Sequence, residues 1–285
     1  MRTVTFKSVL WGAARLHGLD PTTPDLDEVQ AASITEYINS RIQRAWERAF
    51  WPELMTTEER QYRADWAVGT AYLATQEVLG SDDKYYRAVI DNTGNDPTTD
   101  DGTNWAVPAD FDKYIAYAQA GEAVIDAVQR ITKANPRVSQ FPGELRFDIS
   151  DNGFQLGAEA PAKVWVRWRA RAPAFDSTPW STATDYLAGE LAYVATTGEV
   201  YVAVIATTGN EPSADDGTYW TKVDFPYWLA LYTKRSVFAD LLVENGQRGE
   251  SIAQGAIAEQ LLQDQELVQF DQQDQPEATR FSAYP

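Results

Sequence analysis

The sequence predicts an α+β fold, a frame of about four helices into which two small β-modules are inserted as a duplicated β domain. The first observation behind this is an internal repeat: residues 86–105, YRAVIDNTGNDPTTDDGTNW, return at 201–220 as YVAVIATTGNEPSADDGTYW, with thirteen of twenty positions identical at an offset of 115. The second is that each copy joins an apolar, aromatic run to Gly/Asn/Pro turn chemistry, a strand-and-turn composition. The third is that stretches with the 3.6-residue hydrophobic period lie before, between and after the copies.

Residues 1–24 read as a short strand or helix followed by a turn-rich link from Gly18 to Pro24. A helix is expected from about Asp27 to Phe50, where Ile34, Ile38, Ile42, Ala45 and Ala49 form a stripe widened by Tyr37, Trp46 and Phe50. Asp25 or Asp27 can cap its start, and Pro52 marks its end. The opposite face carries Glu36, Arg41, Arg44, Glu47 and Arg48. These are ordinary solvated charges or contacts to a neighbouring subunit, for which Glu36, Arg41, Arg44 and Arg48 are the candidates.

The first β-module is assigned to residues 63–108 and the second to 176–224. Each opens on Ala-Val-Ile (from Ala88 and Ala203), with an aromatic residue two positions ahead, and turns through Thr-Gly-Asn-acid-Pro (from Thr93 and Thr208). A second turn, Asp-Asp-Gly-Thr (from Asp100 and Asp215), leads to a closing Trp, Trp105 or Trp220. Trp66 and Trp180 precede the copies at similar distance. A unit of roughly 40 residues buries too little apolar surface to stand alone. Each module is therefore expected to lean on something else, and the two could pack together around a shared core. The Asp pairs lack an EF-hand-like series of ligands, so no metal site is assigned.

Between the modules, a second helix is expected from about Asp110 to Lys133, on the stripe Tyr114, Ala118, Val124, Ile125, Val128 and Ile131, stopped by Asn135-Pro136. Residues 144–175 form a β-hairpin segment: Glu144–Ile149 alternates, Asp151-Asn152-Gly153 turns, and Phe154–Leu156 and Lys163–Arg171 are strands. Along the last of these Lys163, Arg167, Arg169 and Arg171 share a face with Trp165, the most basic stretch of the chain. Such a strand contacts nucleic acid or pairs with acidic surface, its own or a neighbour's; the net charge favours pairing. A third helix is expected to start at Asp224 as N-cap, with Pro226 in its first turn, and to run to Glu244 with Trp228, Leu231, Tyr232, Phe238, Leu241 and Leu242 inward. After the Asn245-Gly246 stop, a fourth runs from Ser251 to about Leu267 on Ile252, Ala256, Ile257 and Leu261. Residues 269–285 hold too few apolar residues to fold alone and read as an arm that orders on a partner. The helical frame is thus assigned to 1–62, 109–143 and 225–285.

The 285 residues include 24 basic and 42 acidic side chains, a net charge of −18, which argues against non-specific adhesion to DNA or anionic membrane. With no cysteine and a single histidine, His17, thiolate chemistry and His-pair zinc sites are excluded. No apolar run reaches the 18 residues of a membrane span, and no signal peptide is visible, so a soluble protein made in the cytosol is expected. No phosphate loop, nucleophile elbow or metal cluster occurs. Paired carboxylates for glycoside hydrolysis exist only outside any motif. Neither enzymatic activity nor a cofactor is expected.

Two resemblances add to this reading. The module pattern, Trp then Tyr-x-Ala, Thr-x-Gly-Asn-x-Pro and Trp, over Trp66–Val107 and Trp180–Val223, resembles the small carbohydrate-binding modules of families 5 and 12. In that family exposed aromatics stack on sugar rings, which implies Trp66, Tyr86, Trp105, Trp180, Tyr201 and Trp220 as glycan-binding candidates; the reading favoured for the same aromatics is the core of a small β-fold, since their fixed spacing serves folding as well as binding. The frame, VLWGAARLHGLDP (9–21), ITEYINSRIQRAWERAFWPEL (34–54), FDISDNGFQL (147–156), APAKVWVRWRARAPAF (160–175) and YWLALYTKRSVFADLLVENGQ (227–247), resembles the head–tail connector, or adaptor, proteins of the neck of tailed bacteriophages. Compact helical adaptors are much shorter, and here about a third of the chain is inserted β-module. This resemblance implies a self-assembled ring, typically of twelve copies, between the portal protein and the tail, stopper or terminator protein, with DNA passing through its lumen. It places the protein in the virion neck, and in the host cytoplasm during assembly. It also implies a portal-contacting C-terminal arm that includes Gln269, Phe270, Arg280, Phe281 and Tyr284. The two function readings are therefore a structural connector ring and a glycan-binding virion surface protein.

Overall fold

The computed structural model describes residues 2–19, 28–119, 124–176 and 178–273, with side chains to 268 in the last helix. The fold is α+β: among the described residues there are four α-helices and a series of small antiparallel sheets. The chain divides into two compact units, residues 1–53 with 172–285, and residues 54–171. All four helices belong to the first unit, and each unit contains one β-module.

In the first unit, α1 (Phe6–Leu16) is capped by the Thr5 hydroxyl, which accepts from Ser8 N at 3.3 Å, and buries Phe6, Val9, Leu10, Ala13 and Ala14. Helix α2 (Glu28–Arg48) buries the expected stripe of Ile34, Ile38, Ile42 and Ala45. The cap candidates Asp25 and Asp27 lie outside the described residues. Past its end it is Trp51, not Phe50, that turns inward: the Trp51 indole donates to Ala45 O at 2.7 Å and its ring lies 4.4 Å from that of Trp228.

Helix α3 (Tyr227–Glu244) starts later than expected, with Pro226 rather than Asp224 at its N-cap and no capping side chain. Phe225–Pro226 is held extended by antiparallel pairing with Thr3–Val4, so helical geometry cannot begin before Tyr227. Its inward residues include Tyr232, Phe238, Leu241 and Leu242 as expected, together with Leu229, Ala230 and Val237, while Trp228 and Leu231 are only half-buried. Packed by α1, α2 and the last helix, α3 is apolar nearly all round, as a central helix is. The stop at Asn245-Gly246 is as expected, with Gly246 at φ +73°.

The last helix, α4 (Arg248–Gln273), outruns its expected end and buries a different stripe, Ser251, Ala258 and Leu262. Ile252 and Ile257, expected inward, point outward, 74 % and 45 % exposed, and Ala256 is exposed beside them. Ser251 and Ala258 on the buried seam let parts of α4 close on α3, Leu262 packs beside them, and Ile252 and Ile257 are left on the far side.

The 54–171 unit is built on a four-stranded antiparallel sheet, in the order Glu144–Leu145, Ile125–Thr132, Lys163–Ala170, Met55–Gln61. Ile131, Val164, Val166 and Trp168 of this sheet meet Phe154 in its core. The hairpin Phe147–Ser150/Gly153–Leu156 turns at Asp151 (φ +46°), as expected. The helix expected over 110–133 is not found among the described residues of that span, which hold the strands Tyr114–Ala116 and Ile125–Thr132 instead. Two register shifts against Lys163–Ala170 insert extra residues into Ile125–Thr132. Bulges of this kind reset the alternation of a strand, and the inward positions Ile125, Val128 and Ile131 acquire a helix-like spacing of three.

Each module pairs a two-stranded ribbon with a three-stranded sheet. The first has Ala71–Tyr72 with Asn92–Thr93, then Glu77–Leu79, Tyr85–Ala88 and Trp105–Ala106; the second has Asp185–Tyr186 with Thr207–Thr208, then Leu191–Val194, Glu199–Ala203 and Trp220–Lys222. They do not share a core: their aromatic clusters are separate and belong to different units. Each leans on its own unit instead. Leu79 and Tyr85 enter the core of the 54–171 sheet, and Tyr193 meets Phe6 of α1 edge-on at 5.8 Å while Lys7 N donates to Gly198 O at 3.1 Å. Leu79 and Tyr193 are equivalent residues, since their carbonyls accept from Trp66 N and Trp180 N. The same edge of the module docks in both copies.

Candidate functional site

The acidic turns are built to hold the closing tryptophans. The Asp100 carboxylate accepts from the backbone N–H groups of Gly102, Asn104 and Trp105 at 2.9, 3.0 and 3.0 Å, and Asp215 accepts from Gly217, Tyr219 and Trp220 at 2.9, 3.1 and 3.0 Å. The Asn104 amide, with these N–H groups, holds the Asp100 carboxyl below the usual carboxylate range. Asp101 and Asp216 are lowered by their contacts with Thr103 and Thr218. These carboxylates organise backbone, and among the described residues no group of three or more His, Cys, Asp or Glu is placed to hold a metal.

The six glycan-binding candidates divide by burial. Trp105 and Trp220 are 2 % exposed, their indoles donate to Asn95 O and Asn210 O at 2.9 and 3.0 Å, and Tyr72 and Tyr186 meet their rings edge-on. Tyr86 is also buried, its hydroxyl on Asp82. These three are corrected from sugar-stacking candidates to core: a fold this small has few other side chains with which to exclude water. Trp66, Trp180 and Tyr201 are half-buried against the same clusters. The indole nitrogens of Trp66 and Trp180 are buried without an acceptor among the described residues, so neither can donate to a ligand.

Among what the modules present outward is a repeated apolar corner. Leu73, Val89 and Ile90 are 59 %, 50 % and 47 % exposed in the first, and Leu187, Val204 and Ile205 lie at the equivalent places, also exposed, in the second. In sequence the Val-Ile pairs read as strand core; in the structure the strands end at Ala88 and Ala203, and the pairs fall on the corner beyond. Their identity in both copies was the available signal.

Three of the four subunit-contact candidates are engaged within the chain. Arg41 Nε donates to Asp240 of α3 at 2.7 Å, Arg44 pairs with Glu259 of α4 at 3.0 Å, and Arg48 contacts Glu259 and Glu266 of α4 at 2.6 Å each. Only Glu36 is exposed with no described partner. Tyr37 adds a bond to Glu244, which pushes its hydroxyl up to about 12. This face of α2 clamps α3 and α4 within the chain: its pairings with Glu244 and Asp240 run antiparallel along α3, and those with Glu259 and Glu266 run parallel along α4. The outward face of α4 is left over, with Ile252, Ile257, Leu267 and Val268 all exposed. Of the arm, Gln269 and Phe270 lie on the backbone of α4, and Arg280, Phe281 and Tyr284 lie outside the described residues.

On the basic strand, Lys163 pairs with Asp83 at 3.1 Å and Arg169 with Asp126 at 2.9 Å. Among the described residues no helix is long and apolar enough to cross a membrane. No protein-family model matches the chain, and no curated protein matches it either.

Proposed function

We propose that this chain is a structural, non-catalytic component of a tailed-phage neck, a subunit of an adaptor ring between portal and tail through which DNA passes. The observation that carries the reading is the outward face of α4. A helix of 26 residues keeps four aliphatic side chains, Ile252, Ile257, Leu267 and Val268, in water while it buries Ser251, Ala258 and Leu262. Aliphatics gathered on the outward face of one long helix are what an interaction site offers. The repeated apolar corners of the two modules add a second set of contact surfaces, fitted to lateral or tail-ward contacts. The frame resemblance supplies the identity of the assembly; the portal end is assigned to the arm that follows α4.

The test is light scattering and negative-stain microscopy of the purified chain, alone and with the portal protein from the same genome. The expected result is a closed ring, formed alone or on the portal. A monomer indifferent to the portal, and retained on a polysaccharide column, would replace this reading with the glycan-binding one. That reading now rests on the half-exposed Trp66, Trp180 and Tyr201.

A further inference from the structure

One end of the four-stranded sheet is locally basic in this acidic chain. Residues 130–146 carry four basic side chains and one acidic. Arg130 and Arg167 are direct cross-strand partners, an arrangement in which like charges repel. Arg130 has only a loose ion pair with Glu144 at 3.5 Å, and Arg167 is half-buried with no acidic partner among the described residues. Burial and the Arg130 cation push Arg167 below the usual arginine range. Such a pair calls for an anion from outside.

Next to it stands a rigid tip. The loop after Ile125–Thr132 is closed by Lys133 N to Gly143 O and Ala134 N to Pro142 O, at 2.8 and 3.0 Å, and the Asn135 side chain accepts from Arg137 N at 2.9 Å. This ordered loop holds Val138 and Phe141 almost fully in water, 84 % and 82 % exposed, with Lys133 and Arg137 exposed beside them. Apolar anchors flanked by arginine are typical of contact surfaces.

The rest of the chain offers the complement. Residues 54–171 hold 13 basic and 18 acidic side chains, and the remainder 11 and 24. On α4 the exposed Ile252, Ile257 and Leu267 share their face with exposed Glu250 and Asp264. We infer that the 133–143 tip of one copy docks on the outward face of α4 of a second copy, Phe141 and Val138 against the aliphatics, the Lys133–Arg137 end against Glu250 and Asp264. The contact joins different surfaces of the two copies, and repetition of such a contact closes a ring when the rotation permits. It rests on the ring reading and names the surfaces that make the ring.

The experiment is sedimentation velocity of the full chain at low and high salt, with charge-reversed variants. Lys133→Glu/Arg137→Glu should weaken self-association about tenfold or more with an unchanged melting temperature, Glu250→Arg/Asp264→Arg should do the same, and the combined variant should recover most of the loss. Phe141→Ser, at an anchor 82 % exposed in the single copy, should weaken association with the melting temperature held; this variant keeps the test informative if a reversal misfolds. A ring indifferent to both reversals, or a combined variant no better than either alone, overturns the inference and leaves the connector reading standing. Binding of a duplex oligonucleotide that Lys133→Glu/Arg137→Glu abolishes overturns it in favour of a nucleic-acid face. A chain that stays monomeric with and without the portal removes the connector reading and this inference together.

Discussion

Two residue types decide how each module holds together, and both are testable one side chain at a time. Trp105 and Trp220 fill their modules and spend their indole N–H on a backbone carbonyl, so Trp105→Ala should cost about 3–5 kcal/mol of local stability. Hydrogen exchange should show protection lost over residues 71–106 with that over 185–222 retained, since the clusters are separate. The Asp100 carboxylate is stabilised as the anion by Asn104 and three backbone donors. A carboxyl lowered in the folded state contributes stability that is complete above its unfolded value, about 3.9, and is lost as pH falls through the lower folded value. The first module should thus be indifferent to pH from neutrality to about 5 and weaken in acid below that. Asp100→Asn should be less stable at neutral pH and should lose part of this acid sensitivity, read by denaturant titration at several pH values. The core role of these tryptophans was legible in the sequence, because a fixed aromatic spacing in a small unit serves packing first. The exposure of Val89 and Ile90 was not, because an apolar pair beyond a strand end looks the same as one within it.

At the scale of elements, what was legible depended on whether one period ran unbroken. Helix α2 repeats Ile at intervals of four and was legible to within a few residues. Ile125–Thr132 carries two register shifts and imitates a helix. The buried seam of α4 is made of Ser251, Ala258 and Leu262, which no hydrophobic pattern would choose over Ile252 and Ile257. The choice between stripes is made by the neighbouring helix, so it is absent from α4's own sequence. Docking of the second module on α1 is equally non-local, and it converges on Gly198. This residue has φ +74°, and a Cβ placed there would collide with the Cβ of Lys7, the residue whose N–H bonds the Gly198 carbonyl. Gly198→Ala combines left-handed strain with overpacking and should destabilise by about 2–4 kcal/mol. The expected signature is raised hydrogen exchange in residues 191–203 and at the start of α1, with the 54–171 unit unaffected.

For the whole molecule, the division into two units explains why one duplicated sequence meets two different supports. The 54–171 unit interrupts the helical unit, and its two ends are neighbours: Met55, one residue inside its start, is the antiparallel partner of Arg169, two residues before its end. Ends held together by the unit's own sheet are what allows a domain to sit inside another chain without disturbing it. The unit also has its own core, of Tyr62, Leu79, Phe154, Val164, Val166 and Trp168 among others, into which its module is already docked. Residues 54–171 expressed alone should therefore fold cooperatively, with a far-ultraviolet circular dichroism spectrum of β type and one denaturation transition. The complementary chain, with Glu53 joined to Ala172 through a short Gly/Ser linker, should keep the helical signal, because α1–α4 and the second module make their contacts within that unit. Differential scanning calorimetry of the full chain, the excised unit and the joined remainder decides this. Two transitions in the full chain that coincide with those of the separate pieces are expected. An unfolded 54–171 fragment would mean that its sheet needs the helices, and that the adjacency of its ends reflects strand pairing alone.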